Sequence, residues 1–108
     1  MSELTVKKLQ EYLSLKYKNR VSEESLFMKL VEEMGETAEA MNQLAGRKAL
    51  SEESSLAKEL ADVVHYTLAI ASIHDIDLSK VIIEKDKLAS VKYHWTPNLE
   101  EFLQVEEK

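Results

Sequence analysis

From Phe27 to Ala45, apolar side chains recur at spacings that alternate between four and three: Phe27, Val31, Met34, Ala38, Met41, Ala45. That period follows one face of an α-helix and no face of a strand, so the middle of the chain reads as one long amphipathic helix. The flanks read the same way. Only two Gly and one Pro occur in 108 residues, too few for an all-β chain, which needs a turn signal about every eight to twelve residues. Leu4, Leu9, Tyr12, Leu13 and Leu15 predict a first helix from about Thr5 to Lys18. Ser22, with Ser25 competing, caps the second, which runs to about Gly46; Glu23 and Glu24 then suit its first turn. A third helix is expected from Ser51 to about His74 on Leu56, Leu60, Val63, Val64, Thr67, Ile70 and Ala71. Asp77 or Ser79 caps a fourth, from about Leu78 to Tyr93, with Val81, Ile82, Leu88 and Val91 among its apolar positions. Thr96-Pro97-Asn98 ends it, and residues 99–108 form a short docked helix or a frayed tail. The expected fold is all-α: an antiparallel four-helix bundle in one domain, residues 1–108, with its core at about 22–93 and a tail at 96–108.

Charge and composition narrow the function. Fourteen Lys and Arg against 20 Asp and Glu give a formal charge of −6, with no basic block of the kind that neutralises duplex phosphates, so no DNA binding is expected. An apolar content of 44% argues against wholesale disorder, and no apolar run is long enough for a membrane span. The first eight residues, Met1 to Lys8, carry no stretch resembling a secretory signal. Without cysteine, disulfides and thiolate metal sites are excluded, and a reducing, cytoplasmic location is expected. A nucleotide held through metal ions remains open.

Two acidic turns then stand out. The second helix carries Glu32-Glu33-Met34-Gly35-Glu36 and the third Glu59-Leu60-Ala61-Asp62, with 22 residues between them. Residues three apart share a helix face, so Glu33 with Glu36, and Glu59 with Asp62, each present two oxygen donors to one region. Either pair alone is common on any solvated helix. Their register is less common: in an antiparallel hairpin, Glu33 against Asp62 and Glu36 against Glu59 share one index sum, 95, centred between Arg47 and Lys48. At about 100° per residue, both pairs also fall to the same side of apolar stripes centred on Met34 and Leu60. Four carboxylates are thus expected to converge on one flank of the hairpin, which Leu26, Leu30, Ala40, Leu44, Tyr66 and Ile73 share or border, so that helix one, helix four or a second subunit is expected to cover part of it. Acids gathered so closely are relieved by raised pKa values or by a hard divalent cation. An oxygen-only donor set selects Mg²⁺ or Mn²⁺ over Zn²⁺, and Mg²⁺ characteristically completes its shell with substrate phosphate.

The EExxE and ExxD pair, in an all-helical chain of this length, resembles the MazG-like nucleotide pyrophosphohydrolases of the all-α NTP pyrophosphatase superfamily. The similarity runs from about Leu26 to Tyr93 and includes the string from Leu30 to Glu36. The resemblance implies hydrolysis of nucleoside triphosphates to monophosphate and pyrophosphate, dependence on Mg²⁺, and assembly as a homodimer or homotetramer. It implies Glu33, Glu36, Glu59 and Asp62 as metal ligands, with Glu32 as a further acid able to orient water. Glu32, Glu33 and Glu36 are the candidates to accept the water proton. Lys85 suits a phosphate-assisting role, although Ala89 or Ser90 falls where the family often has Asn. Tyr66 matches a position that contacts nucleotide in dCTP-preferring relatives, with core packing as the alternative. Arg20, Lys87 and Lys92 are further candidates for leaving-group charge.

Two other readings compete. Asp62 and His65 have the spacing of a di-iron half-site, but that architecture needs a Glu-x-x-His on each of two helices, and the second helix has no His. The chain could instead be a non-catalytic helical module whose acidic hairpin is a solvated or metal-stabilised surface. Among the remaining residues, Met28, Met34 and Met41 read as core or interface filler. Gly35 within a helix reads as a close approach or mere tolerance, and Trp95 with Tyr93 and His94 as a packing anchor, with stacking on a base as the alternative.

Overall fold

The computed structural model describes residues 2–47 and 55–106. Five helices follow one another: α1 (Val6–Tyr17), α2 (Glu23–Leu44), α3 (Leu56–Ile73), α4 (Leu78–Tyr93) and α5 (Leu99–Glu106). No strand occurs among the described residues. Each helix starts where short polar side chains satisfy its orphan amides. The Thr5 hydroxyl accepts from Lys8 N at 3.1 Å, Ser22 from Ser25 N at 3.1 Å, Ser55 from Lys58 N at 3.5 Å, and Asp77 from Lys80 N at 3.2 Å. Asn98 and Glu101 cap α5 reciprocally, each side chain accepting from the other's backbone amide. Gly46, at φ 79°, takes up the left-handed turn that follows α2. The expected start at Ser51 lies outside the described residues; within them α3 begins at Leu56.

The chain divides into two compact units, Met1–Ile76 and Asp77–Lys108. In the first, α2 and α1 both pack on α3. Leu13 of α1 is fully buried. Nearby, the Gln10 side chain donates to the Ile76 carbonyl at 2.7 Å, and Ser72 Oγ donates to the Gln10 carbonyl at 3.0 Å, tying α1 to the end of α3. In the second unit α5 docks against α4: Leu99 N donates to Asp86 Oδ2 at 2.7 Å, and Lys87 pairs with Glu100 at 3.5 Å. The tail is therefore a docked helix rather than a frayed end.

The buried face of α2 differs from the expected one. The stripe Phe27, Val31, Met34, Ala38 and Met41 is exposed, Val31 at 46% and Phe27, Met34 and Met41 at 55% each. The face turned inward is the same four-three pattern displaced by one residue: Leu26, Leu30, Glu33, Thr37 and Ala40. On helix α3 the expected positions divide, with Leu56, Val63, Ile70 and Ala71 buried or half-buried. Leu60 and Val64 are exposed, while Glu59, Val63, Tyr66, Ile70 and Ile73 are buried or half-buried. One residue turns a helix by about 100°, so Glu33 and Glu59 lie inside the hairpin, while Glu36 and Asp62 remain exposed. The physical reason is that periodicity ranks faces by apolarity alone. Here the most apolar face of the chain is not the face on which its own helices pack.

Candidate metal centre

Glu33 sits at the middle of α2, and Glu59 in the first turn of α3, where the helix N-terminus favours negative charge. Both are buried, and Asp62, one turn further along α3, is exposed. One oxygen from each of these three side chains lies within 4.8 Å of the other two. The hairpin register thus brings Glu33 level with the Glu59–Asp62 turn. Glu36 is exposed one turn beyond Glu33 and outside the group of three, yet near enough to act on the Glu33 carboxyl. Thr37 Oγ1 donates to the Glu33 carbonyl at 2.7 Å, absorbing a hydroxyl that would otherwise compete for the acids.

The crowding has a measurable consequence. The Glu33 carboxyl is pushed up to about 7, first by burial, then by a hydrogen bond shared with Glu59 and by the charges of Glu36 and Asp62. Glu33 Oε2 and Glu59 Oε2 are also buried with no hydrogen-bond partner. Buried side-chain oxygens in folded proteins are nearly always paired. Two such oxygens, on side chains gathered with a third carboxylate, fit a hard divalent cation, which neutralises all three at once. No histidine belongs to this group among the described residues. His65 Nε2 lies instead 2.7 Å from the Tyr17 hydroxyl, so the di-iron reading finds no second ligand type here.

The remaining candidates are more dispersed. Glu32 is exposed and pairs with Lys29 at 3.5 Å. Tyr66 is half-buried one turn past Asp62, its hydroxyl pushed up chiefly by burial, then by Tyr17, with Glu33 and Asp62 adding and Lys29 opposing. Arg20 is exposed in the turn between α1 and α2, and Lys85 is exposed on α4, in the second unit. Gly35 has nothing within 4 Å of where a Cβ would stand, so close approach within the chain is not its reason. Sequence reasoning passed over Lys29. The available signal was its spacing, three residues before Glu32 and four before Glu33, which puts all three on one face.

A model of the MazG nucleotide pyrophosphohydrolase domain matches residues 21–94. The chain belongs to the MazG family. The crystal structure of iMazG from Vibrio DAT 722 is similar to it, with a TM-score of 0.69 and 31% sequence identity over 85% of this chain and 100% of that one. No curated protein matches. The MazG span contains every acid of the centre together with Tyr66 and Lys85, and it begins after Arg20 and the whole of α1.

Proposed function

We propose that this MazG chain is a Mg²⁺-dependent nucleoside triphosphate pyrophosphohydrolase that converts NTPs or dNTPs to the monophosphate and pyrophosphate, with Mn²⁺ as a possible substitute metal. The observation that carries the reading is the cluster of Glu33, Glu59 and Asp62, in which Glu33 and Glu59 each hold one buried oxygen with no hydrogen-bond partner. In this reading Glu33, Glu36, Glu59 and Asp62 hold the metal. The ion, when bound, offsets triphosphate charge and makes water more acidic. Glu32 and Glu36, four residues apart on the exposed side of the same turns, orient the attacking water. Its proton passes to one of the carboxylates Glu32, Glu33 or Glu36, its oxygen adds to phosphorus, and the α–β phosphoanhydride breaks with pyrophosphate leaving. Lys85 and Arg20 offset phosphate charge, and Tyr66 contacts the nucleotide. Removal of unwanted nucleotides from the cytoplasmic pool is the role such a reaction suits. Among the described residues no helix is long and apolar enough to cross a membrane.

The exposed α2 stripe supports assembly as a homodimer or homotetramer. Phe27, Val31, Met34 and Met41 of α2 are exposed, as are Leu60 and Val64 of α3. Beside Phe27 an apolar hollow of about 380 Å³ is lined by Phe27, Met28 and Ile70, with Glu23 and Glu24 at its edge. Exposed large apolar side chains at helical spacing along one face fit a contact with another chain.

A panel of NTPs and dNTPs with Mg²⁺, followed by pyrophosphate detection, tests the activity. Release that EDTA abolishes supports the enzyme. No release from any substrate, with no effect of Mg²⁺ on melting, favours a non-catalytic helical module.

A further inference from the structure

Helix α1 lies before the span matched by the family, yet its last residue reaches the turn that carries Asp62. The Tyr17 hydroxyl lies 2.7 Å from His65 Nε2, and the two rings meet edge to face with centroids 5.6 Å apart. His65 in turn meets the Tyr66 ring edge-on, centroids 4.8 Å apart at 71°. Burial, with the Lys16 charge adding and Asp62 opposing, holds the His65 imidazole below its ordinary pKa. In the tautomer protonated on Nδ1, Nε2 accepts a hydrogen bond donated by the Tyr17 hydroxyl. His65 and Tyr66 follow Asp62 by three and four residues, on the same face of α3. A staple between α1 and α3 would need only the first contact. The second hands the constraint to a ring that stands half-buried beside the acidic centre.

We infer that Tyr17 and His65 are a positioning pair that fixes the orientation of the Tyr66 ring beside Asp62, so that α1 takes part in holding the nucleoside end of the substrate. This rests on the proposed activity for its substrate and on geometry alone for the positioning.

The test uses the full chain with Tyr17→Phe, His65→Phe, the double variant, and His65→Gln, which keeps an acceptor for the Tyr17 hydroxyl. For the best substrate of the NTP panel, the first two are expected to raise KM about five- to tenfold, the scale of one lost hydrogen bond, with kcat held within about twofold. The double variant should be no worse than either single, and His65→Gln should restore most of the loss. An unchanged KM, whatever the melting temperature does, overturns the inference. So does a fall in kcat accompanied by weaker Mn²⁺ binding, which would place the pair's effect on the metal centre. Ring NMR signals of Tyr66 decide the positioning without turnover: they shift in Tyr17→Phe if the pair orients the ring, and signals that stay in place overturn the inference even in an active enzyme. A wild-type protein that releases no pyrophosphate sinks the proposed activity and leaves this second readout to stand by itself.

Discussion

Glu33 of α2 and Glu59 of α3 meet inside the hairpin, each with one oxygen buried and without a hydrogen-bond partner. With Asp62 beside them, these carboxyls repel one another once ionised and attract a cation. Mg²⁺ should therefore stabilise the folded chain. At a hundred times its dissociation constant the gain is about 2.7 kcal/mol, which raises the melting temperature of a domain this size by roughly 10 °C or more. Melting curves across a Mg²⁺ titration check this, with EDTA reversing the shift. Glu59→Gln should remove most of the gain, and a wild-type melting temperature indifferent to Mg²⁺ would count against the centre.

The same crowding sets a pH dependence for the metal-free protein. The Glu33 carboxyl moves from an ordinary value of 4.5 up to about 7 in the folded chain. Folding then favours its protonated form, so its contribution to stability is complete below about pH 4.5 and is lost as pH rises through 7. Against Glu33→Gln, which cannot titrate, the wild-type protein in EDTA should lose relative stability between those values. Urea midpoints of both proteins at pH 4.5, 6 and 8 measure it. A difference that stays flat, or grows with pH, contradicts the raised Glu33.

Much of this was legible before any coordinates. The index sum shared by Glu33 with Asp62 and Glu36 with Glu59 needs only an antiparallel hairpin, and Asp77 and Ser22 announced two helix starts by chemistry alone. Leu26, Leu30 and Ala40 already marked the acid sector as partly covered, but the pattern did not disclose that this was the face packed on α3. Leu26, Leu30, Glu33, Thr37 and Ala40 contain a charge and a hydroxyl, so they rank below the neighbouring stripe from Phe27 to Met41, although they are the ones turned inward. Apolarity cannot distinguish a face that packs on its own chain from one left exposed. The Tyr17–His65 contact was invisible for another reason: it joins residues 48 apart in sequence, a relation that helical periodicity does not encode.

Glu36 separates chemistry from architecture. It is exposed, outside the buried group, and acts on Glu33 by charge. Glu36→Gln should therefore fold as well as the wild type and, by relieving repulsion, lower the pKa of Glu33. If Glu36 helps hold the metal and orient water, pyrophosphate release should fall by about a hundredfold or more, the scale of losing a positioned acid or base. Full turnover with folding intact would remove Glu36 from the mechanism.

The exposed stripe on α2 makes the last prediction. Met34 stands at its centre, 55% exposed, with Val31 one turn before it and Met41 two turns after. A charge placed there touches nothing that the chain itself buries, so Met34→Glu should leave helicity unchanged. If the stripe is covered by a second copy, the substitution buries an unpaired carboxylate against apolar side chains, a cost of several kcal/mol that association cannot offset. Light scattering should then report a wild-type dimer or tetramer and a variant near the 12.4 kDa of one chain. A variant that keeps the wild-type mass would show that the copies meet on another surface, and a monomeric wild type would leave the stripe to some other partner.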